Sequence, residues 1–182
     1  VAYLREHLFA GDGGRSDAVP LAEWIERPGL PSAAPRPTSE ALRRVAAAAQ
    51  DWVGGNTAPG LKGFPAWNTH ERLQFLRQLP SPLPPHRLAA LDDAFALTGS
   101  RNAEIASQWL LMSLRSGYGR TDDRLEEFLV EIGRRKFIKP LYEELVKTDT
   151  GRSRALAIYR KARPGYHPIG VDTVDRIVGW PA

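Results

Sequence analysis

The stretch TDDRLEEFLVEIGRRKFIKPLYEELV, residues 121–146, decides the fold. Leu125, Phe128, Leu129 and Ile132 recur at intervals of three and four, the spacing of one helix face. Thr121 stands where a cap belongs, and Asp122 and Asp123 fill a first turn that the helix dipole makes favourable for acids. Gly133 follows the last apolar residue, where a glycine just past a helix end is expected. A second series restarts at Phe137 and Leu141, four residues apart. Between the two series, Arg134, Arg135, Lys136 and Lys139 crowd around Phe137, and Pro140 closes the cluster.

The same grammar runs outward in both directions. Upstream, Asn102 is placed to cap AEIASQWLLMSLRSG, with Ile105, Trp109 and Met112 on one face and Leu110 and Leu114 broadening it. Asn68 and Glu71 have the spacing of a capping box ahead of Leu73, Leu76 and Leu79. Pro85 suits the first turn of a helix carrying Leu88, Leu91 and Phe95. Thr38 is read as a cap for Leu42, Val45, Ala49 and Trp52, whereas residues 54–67 hold too many glycines and prolines for a regular element. Downstream, Leu156 and Tyr159 face inward on SRALAIYRKARPG, and GVDTVDRIVGW makes a last short helix. No stretch alternates with period two. The expectation is all-α: about seven to nine antiparallel helices in an irregular two-layer superhelix, armadillo- or HEAT-like but without a clean sequence repeat.

Composition narrows the function. The 182 residues are 42% hydrophobic and 25% charged with a net charge of +4, the profile of a soluble globular protein. There is no cysteine, so disulfides and thiolate metal sites are excluded. No apolar run is long enough to cross a bilayer, so no membrane partner is expected. The compartment is left open between the cytoplasm and export in a bacterium. The chain opens on Val1 in a helical pattern, which reads as a piece of a longer polypeptide.

His7, His70, His86 and His167 give neither an i,i+4 pair nor an H-E-x-x-H motif. No phosphate-binding or dinucleotide loop occurs. Asp92–Asp93 and Asp122–Asp123 are adjacent pairs pointing different ways around a helix, read as solvated or first-turn acids. A self-sufficient active site is not expected, and no metal ligand or catalytic residue is assigned to this chain. The arginine-rich segment 151–165 leaves a helical protein–protein scaffold with a basic ridge as the alternative; Leu156 and Tyr159 interrupt the charge, which argues against nucleic acid.

Five landmarks carry a resemblance: LAEWIERPGLPSAAPRP (21–37), ERLQFLRQL with the following PLP (71–84), NAEIASQWL (102–110), GRRKFIKPL (133–141) and YHPI (166–169). In order and spacing they resemble the C-terminal helical domain of the leukotriene A4 hydrolase and aminopeptidase B type zinc metalloaminopeptidases. The resemblance implies that residues 1–37 are the end of a catalytic domain plus a Pro-rich connector, and that residues 38–182 are the helical domain; the connector's own residues, Trp24 and Leu30, suit docking on a surface. It implies zinc in the catalytic domain of the same polypeptide and no cofactor in this chain. It further implies a peptide substrate whose carboxylate is bound by Arg134 and Lys136, the Arg and Lys of a GRxKF motif. Arg135 falls on that motif's variable position and is read, with Lys139, as solvent-facing or paired with acids such as Glu143. Phe137 is read as core, and His167 as satisfying a backbone group beside Pro168.

Overall fold

Local chemistry pins the first turn of several helices, and tertiary packing does the rest. A computed structural model describes residues 1–11, 14, 18–55, 57 and 61–181. The chain divides into two units, Val1–Ser39 and Glu40–Ala182. Among its described residues the first unit holds two short helices, α1 (Ala2–His7) and α2 (Leu21–Glu26). Trp24 and Leu30 of this unit are 46% and 82% exposed.

The second unit holds α3 (Glu40–Val53), α4 (Thr69–Gln78), α5 (Pro85–Phe95), α6 (Ala103–Arg115), α7 (Asp122–Glu131), α8 (Arg135–Leu145), α9 (Asp149–Ala162) and α10 (Pro168–Val178). Among the described residues there is no strand, and the ten helices slightly exceed the number expected. The Asn68–Glu71 capping box forms in both directions, at 2.8 and 3.0 Å. Asn102 accepts from the N–H groups of Glu104 and Ile105. Pro85 and Pro168 occupy first turns, and His167 Nδ1 accepts from Ile169 N, the backbone role expected of it. α3 begins at Glu40, two residues past Thr38. Thr121 does not cap α7: its hydroxyl donates instead to Tyr118 O in a 3-10 turn, Gly119–Thr121.

The arrangement is the expected irregular two-layer array. α4, α6, α8 and α10 lie side by side, each against the next. α3 packs on α4, while α7 and α9 pack together and α9 also meets α8 and α10. α6 is the wall between two cores. Ile105, Trp109 and Met112 face a first core with Trp52, Phe64, Phe75, Leu88 and Leu91. Ala106 and Leu110, one step round the same helix, face a second core with Phe128, Leu129, Phe137, Leu141, Tyr142 and Tyr159. Trp52 and Trp109 are fully buried anchors, as their spacing suggests, whereas Leu42 is 38% exposed.

The Asp92 reading needs correction. Asp92 is buried, not solvated, and its carboxylate accepts from Thr98 N, Thr98 Oγ1 and Tyr118 OH at 2.8, 2.6 and 3.1 Å. Thr98 Oγ1 in turn accepts from Trp109 Nε1 at 3.0 Å. This network holds the left-handed turn at Ala96 (φ 50°), a conformation a residue with a Cβ rarely adopts. Asp93 points outward and pairs with Arg120 at 2.9 Å.

Candidate carboxylate-binding site at the start of helix α8

Gly133 links α7 to α8, but not in the way a helix-capping glycine does. α7 ends on an extended Ile132, and Gly133 is not among the residues with positive φ. A Cβ there would lie 3.2 Å from Tyr166 Cδ1 and 3.5 Å from Gly165 O. The glycine is required by the close approach of the turn before α10, which holds the entry to α8 in place. Beyond it, Pro140 does not close a segment: α8 continues through it to Leu145. The missing N–H leaves Lys136 C=O without its helical donor.

Arg134 is the N-cap residue of α8, and its carbonyl accepts from Phe137 N and Ile138 N. No side chain caps the helix, and its first turn carries no acid. Arg134, Arg135 and Lys136 thus gather at a helix end whose dipole is already positive. Phe137 is buried and organises two of them: the Arg134 guanidinium lies 5.5 Å from the ring centroid and the Lys136 ammonium 5.2 Å. Among the described residues the Arg134 side chain makes no hydrogen bond or ion pair beyond this ring contact. Arg135 turns the other way and donates from Nε to Thr173 Oγ1 on α10 at 2.8 Å. It is solvent-facing, one of the two readings of it, and its partner is a hydroxyl rather than an acid. Lys139 pairs with Glu143 as anticipated.

One participant was not singled out from the sequence. Lys136 Nζ donates to Glu104 Oε1 on α6 at 2.5 Å. The two side chains are 53% and 31% exposed, so this is a partly wet pair at a groove rather than a buried bridge. The groove is a recess of about 150 Å³ lined by Arg77, Glu104, Gln108, Lys136, Phe137 and Pro140 among others. Sequence spacing could not reveal the pair, because 32 residues separate its members.

A larger cavity, about 590 Å³, opens at the other end of α6 and α8. Its charges are satisfied by each other. Burial pushes the Glu144 carboxyl up, but hydrogen bonds from Arg115 and Lys147 outweigh it and hold the group below the usual range. Arg154 is likewise held by Asp122. On α9 and beyond, Lys161 is held by Glu126 and Arg163 by Asp175. At α8, Arg134 has no acid partner among the described residues and shares a ring with Lys136 at a helix start that no side chain caps, which makes that end the better anion seat. Among the described residues, no group of three or more His, Cys, Asp or Glu could hold a metal. No described helix is long and apolar enough to cross a membrane.

Residues 67–178 match the family described as leukotriene A4 hydrolase, C-terminal. The chain is 29% identical over 175 residues to a leukotriene A-4 hydrolase homolog of Botryotinia fuckeliana, covering 93% of this chain and 27% of that protein. It is 31% identical over 134 residues to leucine aminopeptidase 2 of Neurospora crassa, covering 72% of this chain and 20% of that one. Native leukotriene A4 hydrolase from Saccharomyces cerevisiae has the same fold, with a TM-score of 0.75 at 24% identity over 97% of this chain and 31% of that structure. The chain therefore spans less than a third of the length of these relatives. With the match running from Trp67 to Val178, through every helix from α4 to α10, the chain belongs to the leukotriene A4 hydrolase C-terminal domain family.

Proposed function

We propose that this chain is the C-terminal helical domain of a zinc metalloaminopeptidase that removes N-terminal residues from peptides. Residues 1–37 are then the end of the catalytic domain and its connector, and residues 38–182 the helical domain that closes one side of the substrate cleft. Arg134 and Lys136 bind the substrate's carboxylate. Zinc has no seat among this chain's described side chains and belongs to the catalytic domain of the same polypeptide. Tyr3, Leu8, Trp24, Ile25 and Leu30 stand exposed in the first unit, which supports a further domain as their partner.

The observation that carries the reading is the uncapped, acid-free start of α8 with Arg134 and Lys136 held around one buried ring. A guanidinium offers a planar fork to a carboxylate, and an ammonium adds a compact charge with three donors, of which Glu104 takes one. The free N–H groups of a helix start add their partial positive charge. A carboxylate fixed there sets how far the scissile bond lies from the reacting groups, so misplacement harms turnover as well as binding.

The test is made in the longer polypeptide. Arg134→Ala and Lys136→Ala are compared on a tripeptide and on its C-terminally amidated twin. Each variant is expected to lose about 30-fold or more in kcat/KM on the free acid, about 2 kcal/mol, and far less on the amide. Equal losses on both substrates, or none on either, would return the cluster to a solvated basic turn.

A further inference from the structure

The first turn of α8 has a charge problem that this chain solves with a residue from another helix. Three cations at the positive end of a helix repel one another and the dipole. No acid of α8's own first turn relieves them, and the carboxylate that does is Glu104. Glu104 is not a floating surface acid. It is the second residue of α6, and its N–H is fixed by the Asn102 side chain at 3.0 Å. Asn102 is in turn tied to Thr69 at the start of α4, through Nδ2 at 2.9 Å. A rigid corner therefore presents this carboxylate to Lys136.

The surroundings show what the carboxylate competes with. Glu104 is the one acid lining its recess, and Arg77 and Lys136 are the cations that share it. Arg77 Nε donates to Gln108 Oε1 at 3.4 Å, which leaves the Gln108 amide N–H groups turned away from that bond. An incoming carboxylate that takes Lys136 must come within a few ångströms of Glu104, or displace it.

We propose that Glu104 is the internal counter-ion of the clamp: it positions the Lys136 ammonium and competes with the substrate's carboxylate for it. This rests on the carboxylate reading of Arg134 and Lys136 given above. The consequence is a moderated affinity. Part of the Lys136 charge is already spent, so free-acid peptides bind less tightly than two unopposed cations would hold them, and they leave more readily. Both side chains are partly wet, so the effect is modest, about threefold to fivefold in KM.

The discriminating variant is Glu104→Gln in the longer polypeptide, which keeps an acceptor for Lys136 and removes the negative charge. The readout is the KM of the amidated tripeptide divided by the KM of the free acid, so that any general damage cancels. This ratio should rise about threefold or more, through the KM of the acid rather than through kcat. Glu104→Ala, which also removes the positioning contact, should lower kcat on the acid relative to the amide, and Glu104→Gln should restore it. An unchanged or falling ratio in Glu104→Gln overturns the proposal. Lys136→Ala separates the two layers. If it collapses the ratio while Glu104→Gln leaves it unmoved, only the counter-ion role falls. If Lys136→Ala also leaves the ratio unmoved, the carboxylate clamp itself falls.

Discussion

On one side of α6 the core closes around a carboxylate; on the other it closes around phenols. In the first core, Asp92 gathers Thr98 and Tyr118, and Thr98 gathers Trp109, so one charge ties the end of α5 to α6 and to the turn after it. In the second, Tyr142 OH and Tyr166 OH lie 3.3 Å apart and Tyr166 donates to Leu129 O, a neutral chain through α8, the turn before α10 and α7. At its rim Tyr159 donates to Asp175, which Arg163 also holds. The second core lies directly beneath the candidate site, because Phe137 is part of it and Tyr166 abuts Gly133. The difference separates duties. The charged network secures the fold at a distance from α8, and the phenolic one also sets where α8 begins.

The largest expected effect breaks the first network. Asp92→Ala leaves the Thr98 N–H and two hydroxyls buried without their acceptor. Losing hydrogen bonds to a charged group costs about 1.5–3 kcal/mol each, and the losses are not additive, so about 3–4 kcal/mol in total is expected. Urea unfolding measures it. The ratio of free-acid to amide turnover in the longer polypeptide should stay as it was; a collapsed ratio would show that the two cores do not divide the work.

Gly133→Ala should do the reverse. Its Cβ meets the Tyr166 ring at 3.2 Å, a mild clash that costs about 1–2 kcal/mol. Because the clash lies at the entry to α8, the acid-to-amide ratio should fall even though the fold survives. Stability lost with no change in the ratio would mean that this contact does not position the clamp.

The sequence made some of this legible and hid the rest, for a physical reason. Asn68, Asn102 and His167 bond groups two or three residues away and Pro85 fixes its own backbone angle, so local sequence alone shows the job. The apolar faces of α4, α6 and α7 follow from periodicity in the same way. Gly133, Asp92 and Glu104 take their meaning from Tyr166, Tyr118 and Lys136, each brought near only by the fold. Gly133 has the position of a helix cap and the function of a packing gap. Phe75 lies beside the face read from Leu73, Leu76 and Leu79, yet its ring is fully buried among Trp52, Phe64 and Trp67. Arg134 and Lys136 were named through resemblance; what the structure adds is their shared ring and Lys136's carboxylate partner.

The smallest effect sharpens the contrast through alkaline titration. Burial first, and then the charge of Asp92, pushes Tyr118 up to about 12. Burial pushes Tyr166 to about 12 as well, but there the hydrogen bond with Tyr142 works the opposite way. In both cases the fold favours the neutral phenol. That stabilisation is complete below pH ~10, the ordinary tyrosine range, and is lost as pH rises through the folded value near 12. Asp92→Asn removes the charge beside Tyr118 alone. Tyrosinate absorbance should then show one phenol titrating earlier and the Tyr166 transition in place. Unmoved titration would mean that burial alone governs the first core.

A crystal structure of the longer polypeptide with a slowly cleaved free-acid tripeptide shows directly where a substrate's carboxylate sits. The carboxylate should lie within hydrogen-bond distance, about 3 Å, of both the Arg134 guanidinium and the Lys136 ammonium, at the start of α8. A peptide bound with its carboxylate elsewhere, and those two side chains left in solvent, would contradict the claim.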